Sequence, residues 1–249
     1  MDVQAAPGAG IGPGAPWWAI APLSAAAAHP GVKLLPEELA RARGYAAGRP
    51  REDFVAGRIL ARVLAAELLG LAGVQGRDVL PGDLQLAQWC PQCASTAHGA
   101  PRLCLPHRGD RYALSYARTA GWLLLGLAPG RGRLGVDLAD SADAAFGPGD
   151  GNLLEDYAYA PGERTRLRAL PGPARQQLRA RWWALKEAVA KAAGEGLAGE
   201  GGIPVVAGEH RHPLLRAAGT RVLEPLPGTP DSLGRTLPGT LVAGIVWVP

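Results

Sequence analysis

The sequence predicts an α+β protein built as two subdomains, and three observations carry that expectation. Two long segments with apolar residues at helical spacing lie far apart, at 51–69 and 174–193. Short apolar runs of strand length follow each of them, and the loop PGRGR at 129–133 separates the two sets. The simplest division is a flexible Gly/Pro-rich tail at 1–16, an N-terminal subdomain at 17–129 and a C-terminal one at 130–249. Both halves read as helices followed by strands.

In chain order, PEEL opens a helix at 36–45 by placing acids in its first turn. In the helix at 51–69, Phe54, Val55, Ile59, Val63, Ala66 and Leu69 form the apolar stripe, and Gly70 stops it. Residues 74–110 are turn-rich and carry all three cysteines. Runs at 112–116 and 122–127, separated by RTAG, read as a hairpin, and RLGVDLAD at 133–140 as a further strand ending in acids. After a loose stretch at 141–152 come an apolar run at 153–159, a turn at Pro161-Gly162 and helical spacing through Leu170. The sequence PGP at 171–173 then breaks the chain before the long helix at 174–193, which Gly194 stops. The remainder, 203–249, reads as short strands with Gly/Pro turns, closed by a strand at 241–248.

Composition narrows the function classes. The chain has 249 residues, 47% of them hydrophobic and 19% charged, which is globular and not disordered. No apolar run approaches the ~20 residues of a membrane span. MDVQAAPGAG lacks a basic region followed by an apolar one, and three cysteines make no disulfide framework. A reduced, cytoplasmic, monomeric protein with no membrane or nucleic-acid partner is expected. Of 26 basic residues, 23 are arginine and three are lysine: Lys33, Lys186 and Lys191. Where arginine has replaced lysine almost everywhere, a surviving lysine marks a position where the two are not interchangeable.

At 100° per residue, Glu187 and Lys191 share a face of the long helix, either as a solvated ion pair or as part of a site. Strand alternation puts Asp137 opposite Leu134, Val136 and Leu138, beside Gly135, which leaves room for something to approach. An acid in an apolar strand needs a cationic partner, either an arginine or a metal. Asp137 and Glu187 together have the oxygen chemistry to hold Mg²⁺. Separately, Cys90, Cys93, Cys104 and His107 form CxxC…CxxH, a spacing that suits Zn²⁺ or else buried and loop residues. Arg51, Arg58 and Arg62 lie on the first long helix, where Arg58 and Arg62 could share a face towards a phosphate.

GVD at 135–137, followed some 45 residues later by the K-E-x-x-x-K-x-x-G-x-G-L element at 186–197, closely resembles the Sfp-type 4′-phosphopantetheinyl transferases. FVAGRILAR (54–62), AHGAPRL (97–103), YALSYA (112–117) and YAPGERTRL (159–167) extend the resemblance over most of the chain. It implies two similar α/β subdomains in a pseudo-two-fold arrangement with coenzyme A in the cleft between them. It implies transfer of phosphopantetheine to a serine of an acyl or peptidyl carrier protein, with release of 3′,5′-ADP. Asp137 and Glu187 would bind Mg²⁺. Glu187, directly or through a metal-bound water, would deprotonate the serine, and Lys191 would contact the pyrophosphate. Coenzyme-binding residues would be Arg51, Arg58, Arg62, His98, Arg102, Ser115, Tyr116, Lys186 and Lys191, with Lys186 either paired or on a phosphate.

The chain departs from the family's pattern at Ala139, where a second acid stands with Asp140 next to it, and at Ala100, Ala113 and Tyr116. Those departures motivate an alternative, a relative that binds coenzyme A or a carrier protein without transferring. A third reading, a zinc-stabilised basic module on nucleic acid, has the pI near 9.2 in its favour and the scattered arginines against it.

Overall fold

Two sheets, each with a long helix laid along one face, follow from the apolar patterning. The computed structural model describes residues 15–74, 79–89, 95, 99–105, 111–130, 132–147, 153–197 and 202–249. The elements are β1 (Trp17–Pro22), α1 (Pro36–Arg43), α2 (Arg49–Leu71), β2 (Gln85–Trp89), β3 (Ala100–Cys104), β4 (Arg111–Thr119) and β5 (Trp122–Pro129). Then come β6 (Arg133–Asp140), α3 (Leu153–Ala158), α4 (Pro161–Arg168), α5 (Gly172–Ala193), β7 (Arg221–Leu223) and β8 (Leu241–Val248). The strands form an antiparallel sheet β1-β5-β4-β3-β2 and a second, β6-β8-β7.

Each sheet is faced by apolar side chains on both sides, and the packing is layered. Leu60, Leu64 and Leu68 of α2 meet Leu114, Leu125 and Leu127 on one face of the larger sheet. Its other face carries Trp18, Ile20 and Leu124, which pack on Leu134, Val136 and Ile245 of the smaller sheet. The far face of the smaller sheet takes α5 through Leu185, Ala188 and Val189 against Val246. Gly126 permits the sheets to meet: a Cβ there would lie 2.6 Å from Val136 Cγ1.

The hairpin forms as its spacing implies. Ala120 and Gly121, at φ 48° and 78°, make the two-residue turn, whose positive φ values match the right-handed strand twist. The structure corrects four other expectations. Each sheet begins with a strand before its helices, since β1 pairs with β5 through Trp17↔Leu127 to Pro22↔Trp122. Residues 74–110 contain β2 and β3 and are not only turns. Among the described residues, 203–249 holds only the strands β7 and β8, the remainder being turns and a 3₁₀ segment at Pro213–Arg216. Pro161 is the first residue of α4 and not a turn, as expected where a missing N–H costs nothing.

Two outer strands have their edges covered. The loop at 231–235 covers β1: Ile20 N–H donates to Asp231 Oδ2 (2.9 Å), Trp18 N–H to Ser232 Oγ (3.0 Å), and Ser232 N–H to Trp18 O (2.9 Å). On β6, Val136 N–H donates to Ser115 Oγ (3.0 Å), and Val136 O accepts from Lys191 Nζ (3.0 Å).

Candidate active site

The approach that Gly135 permits is that of the α5 backbone, not of a ligand. A Cβ at Gly135 would lie 2.6 Å from Ala192 N, and one at Gly244 would lie 2.6 Å from Ala184 O. Two side-chain-free positions on adjacent strands therefore let α5 lie flush on the smaller sheet. That contact brings Asp137 beside Lys191, whose Nζ donates to Asp137 Oδ1 at 2.7 Å. Gly194 ends α5 in the left-handed conformation (φ 78°), with Glu195 N–H returning to Ala190 O at 3.0 Å.

Glu187 completes the group. It is half-buried, and among the described residues no donor is hydrogen-bonded to it. Loss of water and the neighbouring Asp137 charge push its carboxyl above the usual range, while Lys191 pulls the other way. Burial also raises Asp137, against the opposing pull of Lys191 and the Leu138 N–H. Two carboxylates that feel each other and share one ammonium suit a divalent cation with oxygen ligands. Among the described residues no group of three or more His, Cys, Asp or Glu could hold a metal. Asp137 and Glu187 offer two carboxylates and no more. Asp140 does not supply a third acid: Oδ1 accepts from Ala142 N–H (3.0 Å) and the Thr240 hydroxyl at the strand end. Ala139, where that acid would face α5, is packed with Ala180 and Ala184.

Asp137 and Lys191 open onto a cleft of about 500 Å³ that also reaches Asp53, Tyr116 and Arg118. A second hollow of about 350 Å³ adjoins it through the shared residues Tyr116 and Lys191 and is lined by Ala100, Ser115 and Gly194. With Asp137 and Val136 O taking two of its protons, the Lys191 ammonium keeps one for a ligand.

The other expected residues divide. Ser115 lines the second hollow, but it is buried and its oxygen accepts from Val136. Arg58 lies behind Tyr116, its Nη1 donating to the tyrosine oxygen at 2.8 Å. Arg62 is 1% exposed and wholly engaged by Glu38, Leu84 O and Arg58 O, which removes it from any ligand surface. Arg51 holds the turn before α2 by donating to Tyr45 O at 3.0 Å. Arg102 is exposed on β3, opposite Ala113. Lys186 is buried with its Nζ 2.6 Å from both Glu163 Oε2 and Pro204 O, so of its two expected states the structure has pairing. His98, Cys90, Cys93 and His107, and the side chain of Cys104, lie outside the described residues.

Sequence reasoning missed three residues here. Arg118 lines the cleft two residues beyond Tyr116 on the same face of β4, and Gly57 is small because a Cβ there would lie 2.7 Å from Arg118 Cδ. Glu38 is the shared counter-ion of Arg58 and Arg62 and also caps α1 through Leu35 N–H. Glu163 gathers Lys186 with the N–H groups of Ala160, Val206 and Ala207. For Glu38 and Glu163 the only advance signal was an acidic type at a helix start, which helix-dipole reasoning already accounts for; for Arg118 there was none.

A strand acid, a helix acid one turn before a lysine, and a cleft rimmed by cationic and hydroxyl groups have the chemistry to meet a phosphate. Residues 133–217, which span β6 to the 3₁₀ turn before β7, match the sequence model of the 4′-phosphopantetheinyl transferase superfamily. The chain thus carries a domain of that superfamily. It is 31% identical over 172 residues to a putative 4′-phosphopantetheinyl transferase of Synechocystis sp., covering 68% of this chain and 61% of that protein. Over 134 residues it is 38% identical to the L-aminoadipate-semialdehyde dehydrogenase-phosphopantetheinyl transferase of Eremothecium gossypii, covering 53% and 40%. The chain therefore spans less than two thirds of the length of either relative.

Proposed function

We propose that this protein is an Sfp-type 4′-phosphopantetheinyl transferase that moves the phosphopantetheine arm of coenzyme A onto a serine hydroxyl of an acyl or peptidyl carrier protein. The juxtaposition of Asp137 and Lys191 on one cleft, with Glu187 one turn before Lys191 and close enough to feel the charge of both, carries this reading. Glu187, raised above an ordinary carboxylate and, among the described residues, without a hydrogen-bonded donor, accepts the serine proton. The serine oxygen forms its bond to the β-phosphorus as the bond from that phosphorus to the 3′,5′-ADP oxygen breaks. Lys191 directs its remaining proton at the pyrophosphate as a compact point charge. Asp137 and Glu187 would hold Mg²⁺, which when bound neutralises phosphate charge. Coenzyme A would lie between an N-terminal half at 17–129 and a C-terminal half at 130–249, related by a pseudo-two-fold axis.

The test is incubation with coenzyme A, Mg²⁺ and a panel of apo-carrier proteins, read by intact mass. A phosphopantetheine adduct on at least one carrier is expected. Coenzyme A binding with no adduct on any carrier would replace this reading with that of a binding protein that no longer transfers.

A further inference from the structure

We propose that Arg58 is a positioning residue that acts through Tyr116, fixing the tyrosine hydroxyl as a donor into the cleft where a phosphate of coenzyme A is held. The proposal takes only its ligand from the reading above. Arg58 Nη1 donates to the Tyr116 oxygen at 2.8 Å, so the hydroxyl's acceptor side is occupied from behind. Among the described residues no acceptor takes its O–H, and Tyr116 lines both the main cleft and the adjoining hollow. A hydroxyl that accepts from a cation is a stronger donor on its other side, because the two bonds polarise each other.

Charge bookkeeping in the cluster behind Tyr116 points the same way. Glu38, Arg58 and Arg62 are all buried, and a single carboxylate serves both guanidiniums. Arg58 Nε and Arg62 Nη2 reach Glu38 Oε1 at 2.6 and 2.9 Å, and Arg62 also reaches Oε2 at 2.9 Å. Among the described residues no second buried acid pairs with the trio, which so keeps one positive charge, and the Tyr116 hydroxyl links it to the cleft. A surplus buried cation beside a ligand cleft is stabilised by an anion in that cleft. Arg58 thereby supplies, one residue removed, the positive charge that a tyrosine at this position lacks.

The test reads coenzyme A binding by calorimetry, separately from transfer. Arg58→Gln leaves Glu38 and Arg62 as a one-to-one pair, so the fold is expected to survive, as a thermal melt will show. Arg58→Gln and Tyr116→Phe should each weaken coenzyme A binding about 10-fold, by loss of one charge-assisted hydrogen bond. The double variant should bind no more weakly than Tyr116→Phe alone. If transfer occurs, the loss should fall on KM with kcat within about two-fold. Equal losses from Arg58→Gln in both tyrosine backgrounds, or no loss at all, would overturn the proposal. Repeating the series with 3′-dephospho-coenzyme A locates the phosphate. A tyrosine effect that vanishes assigns the 3′-phosphate, and one that persists assigns the pyrophosphate. A protein that binds coenzyme A with this coupling but modifies no carrier would keep the proposal while refuting the transferase reading.

Discussion

Lys191 Nζ lies 2.7 Å from Asp137 Oδ1 across the β6–α5 contact, and the two side chains are 34% and 13% exposed. The lysine therefore neutralises a carboxylate that burial drives towards protonation, while it still faces the cleft. Glu187, one turn earlier on α5, has no such hydrogen-bonded partner among the described residues. That asymmetry separates a charge-neutralising pair from a carboxylate left available to take a proton.

Glu187→Gln preserves size and removes the base. Transfer to a carrier should fall at least 10²-fold, the lower end of what a positioned base contributes. The melting temperature should stay within a few degrees of the parent. Intact-mass kinetics on the modified carrier check the first, and a thermal melt the second. Unimpaired transfer would remove Glu187 from the chemistry.

The two lysines of α5 should separate stability from activity. Lys186 is buried with Glu163, so Lys186→Met strands a carboxylate and should cost about 3 kcal/mol or more by chemical denaturation. Lys191→Met should cost clearly less stability and reduce transfer more. A reversed order would show that the buried pair is not what ties α4 and the 203–207 segment to α5.

Gly135→Ala tests how the site is assembled. The new methyl would meet the α5 backbone, which cannot swing aside as a side chain can. We expect a loss of roughly 1–3 kcal/mol or more by denaturation, as in overpacked cores, with transfer lost because Asp137 and Glu187 no longer register. Undiminished stability and activity would mean that α5 does not need its flush seat on β6.

Glu38 predicts an acid limb in stability. Burial alone would raise its carboxyl, but the Leu35 N–H, Arg58 and Arg62 outweigh it and hold the folded value below the ordinary 4.5. A group depressed in the folded state contributes its stabilisation above the unfolded value and loses it as pH falls through the folded one. Carbon-detected NMR of the Glu38 carboxyl should show a midpoint below 4.5, and melts should soften across the same window. A midpoint above 4.5 would break the argument.

The regular elements were legible where one side of a helix or strand meets a core. The Gly194 stop and the RTAG hairpin are local signals, and the structure has both. The α2 stripe was legible only in part: Phe54, Val63 and Leu69 are buried, but Val55, Ile59 and Ala66 are half-buried and Leu60, Leu64 and Leu68 carry the core face. The helix also runs past the expected stop at Gly70 to Leu71. β1 was not legible, because WWAIAP is apolar throughout and only pairing with β5 makes it a strand. At the candidate site, the shared face of Glu187 and Lys191 follows from helix geometry alone. Partners distant in sequence did not follow. Lys186 and Arg62 look like phosphate ligands by type and spacing until Glu163 and Glu38, more than 20 residues away, are brought against them. Both α5 lysines that the scarcity singled out are engaged, Lys186 by Glu163 and Pro204 O, and Lys191 by Asp137 and Val136 O.

The Ser115 hydroxyl and the Lys191 ammonium occupy the backbone groups of Val136 that an incoming strand would require, and the 231–235 loop does the same along β1. Two of the four lateral borders of the sheets thus have backbone groups taken up by polar side chains, on β6 at Val136 and partly by a residue of the candidate site itself. At the border formed by β7, Val222 and Leu223 are exposed. Loosening Lys191 would then carry a second penalty besides lost chemistry: it would unmask a sticky border beside the cleft.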